Sequence, residues 1–510
     1  MATNQGTGEA QQHIVMLPYM AQGHLIPFLA LASKIQQRFG FKITIATTQL
    51  NVRYLKSAIA KHPQTTHSNI HLFQLPFDSS QHGLPPNIEN TESLTLNQIV
   101  DLCHASISLE TPFRSLISDV SIKDGRPPLC IISDVFMGWA TEVARSCGTV
   151  NVTFTTGGAY GTAAYVSLWE NLPHRLTQSD EFSLPGFPDS CRFHITQLHP
   201  FLRNADGTDS WSRFFQPQIR LSLNSFGWLC NSAEGIEPLG VDIFRRYSKL
   251  PLWCIGPLLP PAMLTRKPTR AIGQQTGRKP GVSPEKCMEW LDSKPESSVL
   301  YICFGSQNTL SAAQMMALAT GLEESGRPFI WVIRPPLGFN LEGEFDSKWL
   351  PQGFEERMKK SNQGLMVHGW APQLEILCHR STAAFVSHCG WNSTMESLSQ
   401  GVPIIGWPLA AEQGYNVKML VEEMGVCVEL TRGTKSSLNK EGVIKVIDTV
   451  MGEGIKAKDM KKKADEIGEL IRSAVGEEGS HRGSSLEAID TFVSALISKD
   501  QEFVRAKTWN

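Results

Sequence analysis

HIVMLPYMAQGHLIPFLALASKIQQRFGFKITIATT, residues 13–48, holds the architecture in miniature. His13 to Pro18 is a short apolar run of the kind a buried strand needs. Gly23 and His24 mark a turn. Leu25 to Phe39 has the spacing of a helix, with Pro27 in its first turn and Gly40 just past its end. Lys42 to Thr48 alternates and is β-branched, which predicts a second strand. Strand, helix and strand in this order make one βαβ unit and imply a parallel sheet.

The pattern returns along the chain. A strand at Leu129 to Asp134 precedes a helix-like stretch from Met137 to Cys147, closed by Gly148. It restarts with a strand at Val299 to Phe304, a helix from about Ser311 to Ser325, and a strand at Phe329 to Arg334. Further strands are predicted at Leu365 to His368, Ala383 to Ser387 and Pro403 to Trp407. A chain of 510 residues exceeds one hydrophobic core, so two domains are expected. Both halves read as α/β, doubly wound parallel sheets. Pro251 to Pro284 is proline-rich and aperiodic, which suits a linker, and the boundary falls near Gly256. This gives an N-terminal domain over 1–255, a C-terminal domain over 256–483 and a helical tail over 484–510. Pro335 to Lys348 reads as a loop inserted in the second domain.

Composition excludes several functions. Lys plus Arg number 47 against 49 Asp plus Glu, so a net charge of −2 gives no surface for nucleic acid. The eleven cysteines are scattered without a Cys-x-x-Cys pair, which suggests reduced thiols, a cytoplasmic location and no metal site. The polar start lacks a signal-peptide pattern, and no stretch reaches the roughly 20 apolar residues of a membrane span. No Gly-x-Gly-x-x-Gly turn follows a strand, which argues against a dinucleotide-dependent oxidoreductase.

In sheets of this type, ligands bind beyond the carboxyl ends of the strands. Ser387-His388-Cys389-Gly390-Trp391-Asn392-Ser393 runs from a strand into a helix. Asn392 and Ser393 at the helix start suit a phosphate, or an ordinary helix cap; the residues alone do not separate the two. In Trp370-Ala371-Pro372-Gln373, the tryptophan could stack on a planar base and the glutamine bind its edge. Glu412 and Gln413 together can hold neighbouring sugar hydroxyls. His24 and Asp134 each end or follow a strand of the first sheet. An imidazole beside a carboxylate suits proton abstraction, although a single histidine after a strand is more often structural.

Together these pieces resemble the 44-residue signature of plant secondary-product UDP-glycosyltransferases (family 1), from Trp370 to Gln413. The similarity extends to Gly23-His24, Leu229-Cys230-Asn231-Ser232, Ile255-Gly256-Pro257 and Phe304-Gly305-Ser306. It implies a GT-B fold of two Rossmann-like domains facing across a cleft, donor in the second and acceptor in the first, with the tail packing back on the first. It further implies that Trp370 stacks on uracil, Ala371 and Gln373 hold uracil and ribose, and Glu396 takes the ribose hydroxyls. His388, Asn392, Ser393 and Ser306 meet the diphosphate, with Gly305 and Gly390 in the same donor set. Trp391, Glu412 and Gln413 address the sugar, Gln413 pointing to glucose although many members carry Asp where Glu412 stands. Thr155, or its neighbour Thr156, lies near the sugar. His24 is the implied base and Asp134 its partner in an inverting, metal-independent transfer with no cofactor, by a cytosolic monomer. Phe136, Tyr160 and Trp169, with loops around Phe77 to Pro86 and Phe182 to Phe201, are expected to line the pocket of a small flavonoid, phenolic or terpenoid acceptor. Transfer to carbon and a noncatalytic nucleotide-sugar or small-molecule binder are the alternatives.

Overall fold

The computed structural model describes residues 11–60, 69–92, 94–264, 281–340, 343–433, 435–478 and 481–508. Residues 1–10, most of the polar start, and 265–280, the middle of the predicted linker, lie outside the described residues, as do 341 and 342 of the inserted loop.

The first sheet takes β1 (His13–Leu17), β2 (Lys42–Thr47), β3 (Ile70–Gln74), β4 (Cys130–Asp134) and β5 (Asn151–Thr155). After a separate hairpin, β6 (Glu181–Phe182) and β7 (Phe193–His194), it is completed by β8 (Gly227–Cys230) and β9 (Leu252–Cys254). The second sheet comprises β10 (Val299–Cys303), β11 (Phe329–Ile333), β12 (Gly364–His368), β13 (Thr382–Ser387), β14 (Ile404–Gly406) and β15 (Cys427–Glu429). Every neighbouring pair in both sheets is parallel. All residues of β1, β4, β5, β10 and β11 are buried, because helices cover both faces; this explains why they read as apolar runs. The α/β class with two doubly wound sheets is the one the sequence predicts.

Strand order positions the site. It runs β3-β2-β1-β4-β5-β8-β9 in the first sheet and β12-β11-β10-β13-β14-β15 in the second. Winding reverses between β1 and β4, and again between β10 and β13. Loops leaving the two strands of each pair turn to opposite faces and open a crevice between them. His24 and Asp134 stand at the first reversal, Gly305 and His388 at the second.

The first helix, Gln22–Phe39, starts three residues before the predicted Leu25, on Ala21 with no side-chain cap. Pro27 is therefore its sixth residue and not in its first turn. Lacking an N–H, Pro27 cannot bond the Gly23 carbonyl four positions earlier. The last helix, Ser484–Thr508, lies on the first sheet: Ile489, Phe492, Val493 and Leu496 share one buried cluster with Ile14, Leu25, Phe28 and Trp253. Arg38 forks Asp490 through Nε and Nη2 at 2.5 and 2.6 Å, and Phe492 packs 5.3 Å from the Trp253 ring. Among the described residues, no helix is long and apolar enough to cross a membrane.

Phe492→Ala empties part of that cluster and should lower unfolding free energy by about 3–5 kcal/mol. Denaturant melts measure this; a wild-type midpoint would separate the last helix from the core.

Candidate active site

At the reversal of the second sheet, β13 ends at Ser387 and the helix Trp391–Ser399 begins. Its cap is Gly390, which has no side chain to offer the first-turn N–H groups, so neither Asn392 nor Ser393 serves as the cap. A helix start whose first-turn N–H groups have no side-chain cap can receive an anion. His388 is nine-tenths buried and its Nδ1 has no partner. Burial, then the nearby Arg334 charge, lowers its pKa to about 4, so it stands neutral. A Cβ on Gly305 would lie 2.7 Å from this ring and one on Gly390 2.6 Å, so only glycine lets both turns close on it. Ser306 follows Gly305 in the same turn, and Arg334, which sequence reasoning passed over, bonds both carbonyls at 2.6 and 2.8 Å.

Deeper along the same edge, Gln373 gathers its neighbours. Its amide donates to Ser393 Oγ at 3.1 Å and Glu396 Oε2 at 2.6 Å, while its oxygen accepts from Tyr301 at 3.1 Å. Burial raises the Glu396 carboxyl to about 7, against the Gln373 bond. Trp370 is half-buried beside them, and Ala371 is buried. Tyr301 was unreadable in advance: in sequence it is one more apolar position of β10.

His24 and Asp134 meet. Nδ1 lies 2.6 Å from Asp134 Oδ2, and Asp134 Oδ1 accepts the Phe136 N–H at 3.0 Å. Asp134 is fully enclosed, whereas His24 keeps 21% of its side chain exposed. Burial pulls the imidazole pKa down, but the Asp134 charge and hydrogen bond, helped by Glu412, leave it raised. The Glu412 carboxyl is itself raised, mainly by burial, and accepts from Asn416 at 3.5 Å. Gln413 turns its oxygen into its own loop, accepting the N–H groups of Leu409 and Ala410 at 2.9 Å each. Thr155, the last residue of β5, bonds Thr162 of the helix that follows at 2.8 Å. Backbone strain marks the same places: Cys389 beside His388 has φ +62° and Ala411 beside Glu412 has φ +51°.

The lobes touch through the start of the phosphate-type helix. The Trp391 ring is 3% exposed, and its indole N–H donates to the Asn231 carbonyl at 2.7 Å. A Cβ on Gly158 would sit 2.8 Å from this ring, so the indole fills the space glycine leaves. Asn392 donates to the Gly23 carbonyl at 3.2 Å, the acceptor Pro27 leaves unclaimed. Asn231 also donates to the Thr156 carbonyl at 3.2 Å and accepts from Leu258 at 2.8 Å, joining lobe, linker and partner lobe.

Of the acceptor-wall residues, Phe136 is placed beside the imidazole, ring centres 5.5 Å apart, with Tyr165 6.1 Å beyond it. Tyr160 and Trp169 require correction. Both are under 2% exposed: Tyr160 bonds Cys191 and abuts Phe187, and Trp169 stacks on Phe215 at 4.9 Å. They brace the wall from behind. Phe182 and Phe193 are core as well, Phe193 meeting Tyr415 of the other lobe at 6.1 Å.

A family model described as UDP-glucoronosyl and UDP-glucosyl transferase matches residues 268–462, and one described as glycosyltransferase, N-terminal domain matches 10–260. UDP-glycosyltransferase 92A1 of Arabidopsis thaliana is 40% identical over 496 residues, covering 96% of this chain and 98% of its own. Crocetin glucosyltransferase 3 of Crocus sativus is 43% identical over 491 residues, covering 93% and 97%. Among solved structures, Glycyrrhiza uralensis UGT73P12, complexed with glycyrrhetinic acid 3-O-monoglucuronide, superposes with a TM-score of 0.81 at 26% identity over 98% of each chain. A transferase from Siraitia grosvenorii in complex with UDP gives 0.76 at 26%, covering 96% of this chain and 100% of that one.

Gly158→Ala drives a methyl into the Trp391 ring and the Glu237 carboxylate, and should destabilise by about 1–3 kcal/mol. The melting temperature tests this, and Trp391→Ala in the same background should relieve part of the strain.

Proposed function

The chain belongs to the plant UDP-glycosyltransferase family, and from that premise we propose that it transfers glucose from UDP-glucose to a hydroxyl of a small, largely apolar acceptor, inverting the anomeric centre. One observation carries the reading: a His24–Asp134 pair 2.6 Å apart, on the residue next to Gly23, which Asn392 of the phosphate-type helix contacts at 3.2 Å. Base and anion cradle are thus neighbours across the crevice.

His24 holds its Nδ1 proton against Asp134, which leaves Nε2 as the acceptor. The acceptor's O–H proton passes to Nε2 as its oxygen attacks the anomeric carbon; the bond to the diphosphate breaks, giving a β-glucoside and UDP. Asp134 stabilises the imidazolium that forms. Charge growing on the diphosphate is met by the N–H groups opening the helix Trp391–Ser399, by Asn392 and Ser393, and by the turn at Ser306. Glu396 and Gln373 address the ribose, Trp370 the uracil, and Glu412 with the Gln413 amide the glucose hydroxyls. Phe136 and Tyr165 offer an aromatic wall to a phenolic or terpenoid acceptor. A hydroxylated-aglycone panel with UDP-glucose, read by mass, tests this assignment; no mass gain of a hexose on any member would defeat it.

His24→Ala should cut turnover by about 10²–10⁴ and leave UDP affinity near wild type. Because Asp134 raises the imidazole pKa, Asp134→Asn should shift the rising limb of the pH–rate profile to lower pH and lower its plateau. Unchanged profiles would remove the pair from the chemistry. Since protein donors face the leaving diphosphate, transfer should continue in excess EDTA; loss restored by magnesium would refute this.

A further inference from the structure

We propose that Arg334 is a positioning residue for the donor diphosphate: it fixes the Gly305–Ser306 turn so that the following N–H groups face the phosphates, and it sets a permanent cation behind them. The inference rests on UDP-glucose binding at the carboxyl edge of the second sheet.

Arg334 is the first residue beyond β11, the neighbour of β10. Its Nη1 donates to the Ser306 carbonyl at 2.6 Å and Nη2 to the Gly305 carbonyl at 2.8 Å, so one planar fork catches two consecutive carbonyls. A trans peptide carries C=O and N–H on opposite sides. With both carbonyls drawn to the guanidinium, the N–H groups of Ser306 and Gln307 are turned away from it. Gly305 has φ +73°, and a left-handed residue within a turn is the usual ingredient of backbone N–H concavities that bind anions. The same turn lies against His388, whose ring would be 2.7 Å from a Cβ on Gly305. His388 is nine-tenths buried, its Nδ1 is without a partner, and burial and the Arg334 charge keep it neutral. The cradle therefore draws its fixed positive charge from Arg334, one peptide layer behind the surface a phosphate would touch. There the cation strengthens anion binding without competing for the ligand's oxygens.

Lysine keeps the charge but has no fork to hold two carbonyls; methionine keeps neither. Calorimetric titration of uridine and of UDP into the full chain, wild type, Arg334→Lys and Arg334→Met, separates base binding from phosphate binding. Uridine affinity should stay near wild type in both variants, while UDP affinity falls about tenfold in the lysine variant and about 10²-fold in the methionine variant. Donor KM should rise in step and acceptor KM hold. Should the methionine variant not fold, the lysine variant carries the test. An unchanged UDP-to-uridine affinity ratio, or equal loss of both ligands, overturns the role of Arg334 while leaving the donor site standing. Wild-type protein that takes up no UDP overturns the donor site and this inference together.

Discussion

Two parallel sheets can work on one ligand only while their carboxyl edges face each other, and the Trp391 indole is the peg that holds them so. It leaves the second lobe at the first residue of its helix and ends against Gly158 and the Asn231 carbonyl of the first. An indole N–H buried without that acceptor would cost several kcal/mol, which penalises any sliding of the lobes. The next residue, Asn392, reaches Gly23, and the residue after Gly23 is His24. Two neighbours on one chain segment thus register against three separate points of the first lobe, Gly158, Asn231 and Gly23.

Around this contact the crevice is lined by polar groups whose charge is suppressed or whose valences are open. Burial drives His388 toward its neutral form and pushes the carboxyls of Glu396 and Glu412 upward. In a low-dielectric wall, such groups interact strongly with whatever arrives. The His24 pKa is raised as well, but there the charged form gains, because the enclosed Asp134 carboxylate outweighs the imidazole's own desolvation.

Much of this architecture was legible in the chain. Strands buried on both faces read as unbroken apolar runs, and a residue that ends such a run, as Asp134 does, or opens the helix after one, as His24 does, must emerge on the rim; that the two, 110 positions apart, meet as a pair is what the family resemblance implies. Residue type was less informative about direction. Tyr160 and Trp169 are aromatic for the sake of the core behind the wall, and Trp391 points into the opposite lobe; periodicity says that a ring is buried, never in which body. The contacts of Arg334, Asn231 and Tyr301 are not legible in the sequence because their partners lie 28, 160 and 72 residues away. No local pattern encodes such pairings. The helix start differs from the expected one for a local reason: Pro27 reads as a first-turn marker, whereas Ala21 opens the helix uncapped.

That proline gives the first helix a meaning beyond its own packing. By leaving one acceptor vacant near the start of the helix, it writes an address that a distant segment can read. Local perfection and long-range recognition are then in opposition: a sequence that healed the rod would erase the address, and the lobes would lose a landmark beside the imidazole. A flaw in secondary structure can in this way persist as information about assembly.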